Sequence, residues 1–261
     1  MTDTLIACLP MYDRPEVAAS TDRLWAGIRD ALRRRGQNAP QLLTRSDDLW
    51  QQWESPALVF GQTCGMPFRM RLHRLVRLVG TPDYGLPDAP PGHYYSVLVT
   101  RAGDSAGIAG YVGRTLAFNS PDSQSGWAAP QNHLAAIGLP PFSRTRRTGA
   151  HRLSAVAVAE GRADIAAIDA VTWRFLVAYD ADVARQLQVI GRTAPTPGLP
   201  CITARADPAI AAEAAAEAIG ALAGADRTAL GIRGFVRMPV SAYLEVPTPP
   251  PPPPSQDAPD R

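Results

Sequence analysis

Apolar positions along the chain alternate between strand-length runs and helical spacings. Residues 5–9 form a short apolar run that breaks at Pro10, as a first β-strand would. Asp13-Arg14-Pro15-Glu16 then predicts a helix start, with Asp13 as cap, Pro15 in the first turn and Glu16 at capping-box spacing. Leu24, Trp25, Ile28 and Leu32 share one face of that helix, which stops near Gly36. A strand is expected at 41–44, a short helix at 47–53, and a buried strand at 57–60. A helix reaching about His73 and a strand at 75–79 follow. Residues 94–101 make the longest strand candidate.

Beyond this the pattern restarts. A strand at 115–118 leads through Asn119-Ser120-Pro121-Asp122-Ser123-Gln124-Ser125-Gly126 into a helix ending at Gly138. Residues 148–151 open a helix that runs through Glu160 and is closed by Gly161. Residues 164–168 read as a strand, and Asp169 caps the helix at 171–179. A return strand at 187–190, a proline-rich stretch at 193–200 and an alanine-rich helix at 208–222 complete the folded part. Alternating strands and helices argue for an α/β class with largely parallel sheets. The expected organisation is one lobe from 1–100 plus 188–246 and a second from 101–187, joined by two hinge strands. Residues 247–261, with an unbroken proline run from Pro249 to Pro254, read as a disordered, unpacked tail.

Composition narrows the chemistry. The 261 residues include 46% hydrophobic and 19% charged side chains, enough apolar material for a sizeable core. A net charge of +2 lacks the basic excess of a nucleic-acid binder. All 26 positive side chains are arginine, which excludes Schiff-base, pyridoxal-phosphate and P-loop lysine chemistry. Cys8, Cys64 and Cys201 show no CxxC spacing, and the four histidines show no HExxH spacing, so no metal site and no cofactor is expected. No run approaches a membrane span, and the first residues lack the basic region of a signal peptide.

Several loops at predicted carboxyl ends of strands open helices, and in α/β sheets such ends share one edge. Helix starts rich in Ser, Thr and Gly offer free N–H groups to an oxyanion without any lysine. The turn Ser123-Gln124-Ser125-Gly126 is followed by Gly149-Ala150-His151, by Glu160-Gly161-Arg162-Ala163-Asp164 and by Ala167-Ile168-Asp169. Together these resemble the second lobe of the phosphate/phosphonate-binding proteins of ABC importers. Pro91-Gly92-His93-Tyr94-Tyr95-Ser96-Val97-Leu98-Val99 resembles that family's crossover strand. The likeness spans roughly residues 5–205 and implies a two-lobed type II periplasmic-binding-protein fold, each lobe a mixed sheet flanked by helices.

The resemblance implies that Ser123, Gln124 and Ser125 hold phosphonate oxygens, with His151 donating to the same group. Asp169 would meet an amine or protonated oxygen at the ligand's other edge. Tyr12 and Tyr94 would be first-lobe and hinge-side contacts, and Thr63 a further donor. This chain departs from the family at Gln62-Thr63-Cys64-Gly65-Met66-Pro67-Phe68, where an aromatic residue is common. Each position also has a plain structural reading. Ser123, Ser125 and Asp169 fit ordinary helix caps, Tyr12 can pack on its own helix, and Trp127 and Trp173 fit the core. Cys64, at a helix start but with no base beside it in sequence, reads as inert.

Three functions fit this pattern. The first is a monomeric solute-binding protein that closes on phosphate, phosphite or phosphonate and is recognised by an ABC permease, with no catalysis, nucleic acid or membrane insertion. The resemblance implies a periplasmic location, whereas the missing signal peptide points to the cytoplasm. The second is a cytosolic enzyme on the same fold, with His151 and Asp169 as base and acid. The third is a ligand sensor whose proline tail recruits a partner.

Overall fold

The strand–helix alternation resolves into two α/β units, each built on its own five-stranded sheet among the described residues. The computed structural model describes residues 4–253. In chain order come β1 (Ile6–Cys8), α1 (Ala18–Arg34), α2 (Leu49–Trp53), β2 (Leu58–Gln62), α3 (Gly65–Met70) and β3 (Arg77–Asp83). Next are β4 (His93–Tyr94), β5 (Ser96–Arg101), β6 (Thr115–Phe118), α4 (Ala129–Ala136), β7 (Arg144–Arg147) and α5 (His151–Ala159). Then follow β8 (Ile165–Asp169), α6 (Ala170–Tyr179), α7 (Ala181–Ala184), β9 (Leu187–Arg192), β10 (Thr196–Pro197) and β11 (Cys201–Thr203). The chain ends with α8 (Pro208–Ala221), α9 (Gly224–Leu230), β12 (Gly234–Val236) and α10 (Val240–Leu244). A π-helical turn, Gln124–Ala128, precedes α4.

The first unit has strand order β1-β2-β11-β3-β12, with β1 and β2 parallel and β11 antiparallel to both β2 and β3. Helix α1 buries the predicted face of Leu24, Trp25, Ile28 and Leu32. It packs on α8 at close range, since a Cβ at Gly27 would lie 3.1 Å from Ala218 Cβ. The alanine-rich sequence of α8 therefore serves this approach, because larger side chains would force the helices apart.

In the second unit the order is β7-β6-β8-β5-β9, with β6 parallel to β7 and β8, and β5 antiparallel to β8 and β9. The chain divides between the units at His93/Tyr94, Thr196/Pro197 and Glu245/Val246. The lobe limits expected near 100 and 188 are thus displaced. Strands β5 and β9 belong to the second sheet because both pair with its interior, β9 through β5 and β5 through β8.

Other expectations also shift. Asp13 does not cap α1; it accepts from Arg45 Nε at 2.6 Å, and Glu16 pairs with Arg14 at 2.8 Å. The helix begins only at Ala18, after a turn closed by Val17 N–H donating to Arg14 O. Residues 41–44 form no strand, although Thr44 N–H donates to Ala7 O at 2.7 Å. The run expected at 94–101 breaks at Tyr95, because β4 pairs with β10 whereas β5 joins the large sheet. Seven-residue β3 is the longest strand among the described residues. Finally, the tail is not an unpacked appendage over its described part: the carbonyls of Pro247 and Pro250 accept side-chain hydrogen bonds from Asn132 and Trp127. Residues 254–261 of that tail lie outside the described residues.

Candidate functional site

Parallel pairing places the carboxyl ends of β6, β7 and β8 on one edge of the second sheet. Strand β5 runs the other way and starts at the same edge, with Ser96 opposite Asp169. Three segments leave this edge. Past β6 the chain enters the π turn, past β7 it reaches α5, and past β8 it continues directly into α6.

Ser123 is the N-cap of the π turn, its Oγ accepting from Gly126 N–H at 3.0 Å. Ser125 Oγ lies 2.8 Å from His151 Nε2. Its carbonyl accepts from Ser96 Oγ at 2.8 Å, which fixes the turn to the first residue of β5. The loop before α5 is tied to the loop after β6 by Gly149 N–H donating to Asn119 O at 3.0 Å. Gly126 has no room for a side chain, since a Cβ there would sit 1.9 Å from Asn119 Oδ1 and 3.3 Å from His151 Cε1.

Burial pushes the His151 imidazole down to about 4, an effect partly opposed by the nearby Ala167 backbone. Its Nδ1 is buried without a well-formed hydrogen-bond partner among the described residues. At neutral pH the ring is uncharged, so it and Ser125 share one proton along their hydrogen bond while the serine keeps a second valence for a ligand. Among the described residues no carboxylate is hydrogen-bonded to Nδ1, and Asp169 Oδ1 accepts from the N–H groups of Val171 (2.8 Å) and Thr172 (3.0 Å). A serine–histidine–aspartate relay is therefore not assembled here.

The fold brings Ser123, Gln124, Ser125, His151 and Asp169 to one sheet edge, all but His151 buried to within 4% exposure. Tyr94, two residues before Ser96, is 2% exposed in β4. Two residues were missed by sequence reasoning. Asn119 carries a buried Oδ1 without a hydrogen-bond partner among the described residues, and the Asn-Ser-Pro-Asp-Ser loop that it opens was a signal for it. Ser96 had none, because only the β5–β8 register sets it beneath the turn.

Tyr12 and Thr63 stand on the carboxyl edge of the first unit's sheet, after β1 and β2. Tyr12 meets Tyr84 edge-on, ring centroids 5.1 Å apart, and Tyr84 OH accepts from Gln62 Nε2 at 3.3 Å. Thr63 is fully buried; its N–H donates to Pro200 O at 2.9 Å, while its hydroxyl lacks a hydrogen-bond partner among the described residues. A cavity of about 40 Å³ beside them is lined by Leu9, Tyr12, Ile28, Gln62, Tyr84 and Phe235, among others. Its mostly apolar walls mark it as a packing void rather than an anion site.

Comparison with known proteins identifies the family and the fold. Residues 62–243 match the family model described as ABC transporter, phosphonate, periplasmic substrate-binding protein. No curated protein matches the chain significantly. Among solved structures, XAC2383 from Xanthomonas citri bound to chloride ion superposes with a TM-score of 0.68 at 15% identity, covering 93% of this chain and 98% of that one. PhnD1 from Prochlorococcus marinus in complex with methylphosphonate gives 0.66 at 13% identity, covering 92% and 94%. A binding protein component of an ABC phosphonate transporter from Pseudomonas aeruginosa gives 0.64 at 18% identity, covering 88% and 80%. The fold is that of type II periplasmic-binding proteins, and among the described residues no helix is long and apolar enough to cross a membrane. With more than half its length matched by the family model, the chain belongs to the phosphonate-binding family of ABC-transporter periplasmic substrate-binding proteins.

Proposed function

We propose that this protein binds a phosphonate or a related tetrahedral oxyanion and presents it to an ABC permease. The observation that carries this reading is the Ser125–His151 hydrogen bond at the mouth of the π turn, beside Ser123. The first N–H groups of such a turn have no intrahelical acceptors, and the hydroxyls of Ser123 and Ser125 add donors that can aim at one small anion, Ser125 being turned outward when the neutral His151 ring donates Nε2–H to its oxygen. An uncharged histidine gives up the Coulombic gain of an imidazolium, so binding rests on satisfied donors. A ligand lacking one oxygen leaves a buried donor unpaired, at about 1–3 kcal/mol.

Asp169 on the same edge favours a ligand that carries an amine or a protonated oxygen over a fully ionised dianion. Tyr12 and Thr63 supply the first unit's contribution, and closure of the two lobes on the ligand is the signal that a permease reads. The protein acts as a periplasmic monomer. The family match favours transport over the sensor, and the engagement of Asp169 Oδ1 in capping α6 favours binding over catalysis.

Calorimetric titration with methylphosphonate, 2-aminoethylphosphonate, phosphite and phosphate tests the reading, with tryptophan emission followed in parallel. Saturable binding of at least one is expected, and silence toward all four would sink it.

A further inference from the structure

The proline-rich segment lies against the π turn in a regular way. Val246, Pro249 and Pro252 are partly buried, whereas residues 247, 248, 250, 251 and 253 are exposed. That period of three is the signature of a polyproline II helix with one edge docked. Its carbonyls repeat the pattern. Pro247 O accepts from Asn132 Nδ2 at 2.8 Å and Pro250 O from Trp127 Nε1 at 3.0 Å.

Three residues of polyproline advance about 9 Å, and the five residues from Trp127 to Asn132 advance about 7.5 Å along a helix. Side chains of this length span the difference. An indole N–H on a polyproline carbonyl is also how aromatic grooves read proline-rich ligands. The indole itself is 2% exposed and rests on Phe118 at 5.3 Å between centroids.

Trp127 belongs to the same π turn as Gln124 and Ser125. We propose that the face formed by Trp127 and Asn132 is a polyproline-docking surface occupied by this chain's own residues 247–253, and that the docked segment holds the anion-binding turn in its competent geometry. The affinity half of this proposal rests on the phosphonate reading above; the docking half does not. Binding to a turn that is competent only part of the time weakens apparent affinity in proportion. Linkage is reciprocal, so ligand also tightens the strap.

The test uses the full-length chain and a full-length variant carrying Pro249→Gly, Pro250→Gly and Pro251→Gly, which keeps every carbonyl but removes the polyproline preference. Exchange of the Trp127 indole N–H, followed by NMR, is expected to be at least tenfold slower in the parent. A free peptide Pro-Thr-Pro-Pro-Pro-Pro-Pro should restore protection to the glycine variant. Asn132→Ala, which removes one donor only, should give an intermediate rate. Equal indole exchange in parent and glycine variant overturns docking. For methylphosphonate, Kd should rise about three- to tenfold in the glycine variant, and equal values overturn the coupling. Absence of binding to both proteins would overturn the phosphonate reading, and with it the affinity half, while the exchange rates still decide docking.

Discussion

Ser125 and His151 stand 26 residues apart on different elements, and their side chains meet at 2.8 Å across the edge of the second sheet. Because Ser125 O is also held by Ser96, the serine has little freedom to turn away from the ring. Ser125→Ala and His151→Ala should each weaken methylphosphonate binding by about 1–3 kcal/mol, roughly 5- to 150-fold in Kd. Unchanged calorimetric Kd in both variants, with circular dichroism intact, places the anion elsewhere.

Acid should destabilise the protein through His151. Its folded value of about 4 lies below the ordinary 6.5, so the unfolded chain takes up the proton first. Stability is complete above about pH 6.5, falls as pH drops toward 4, and loses on the order of 3 kcal/mol from this group. Urea denaturation at pH 7.5 and pH 4.5 measures the loss. His151→Gln should flatten that pH dependence, and an unaltered slope refutes the assignment.

Asp169 accepts two N–H groups at the start of α6, so Asp169→Ala should lower stability by about 1 kcal/mol. Asp169→Asn keeps the capping carbonyl and should cost far less. If the asparagine variant retains stability yet binds 2-aminoethylphosphonate more weakly, the carboxylate also touches ligand. Equal affinity confines it to capping.

Gly126→Ala is informative in sign. An added methyl favours helix by about 0.5–1 kcal/mol in general, but here it collides with Asn119 Oδ1 and crowds His151. Loss of phosphonate affinity together with lowered thermal stability is expected. A more stable variant with normal affinity would mean that the Asn119 contact yields freely.

The thiols should react unequally. Burial pushes the Cys8 thiol up to about 12, and Cys201, buried near it, is raised further. Cys64, at the start of α3 and partly exposed, should be labelled first by a disulfide reagent, with the other two reacting only on unfolding. Stoichiometric labelling of three thiols in the native protein contradicts this.

What the sequence determined by itself was local. Asp169 and Ser123 cap the elements they precede, and β6, α5, α6 and α8 begin and end within a residue or two of their patterns. These features rest on bonds between groups two to four residues apart, where spacing alone fixes who can meet. Tertiary structure decided the rest. Asp13 had the right spacing to cap but found Arg45, 32 residues away, as a stronger, charged partner. Strands β5 and β9 took their sheet from pairing register, which no single strand encodes. The same register set Ser96 under Ser125, and the joining of β6 to β7 and β8 brought Ser125 to His151. The proline run announced its own conformation, but only the folded surface supplied the indole and amide on which residues 247–253 rest.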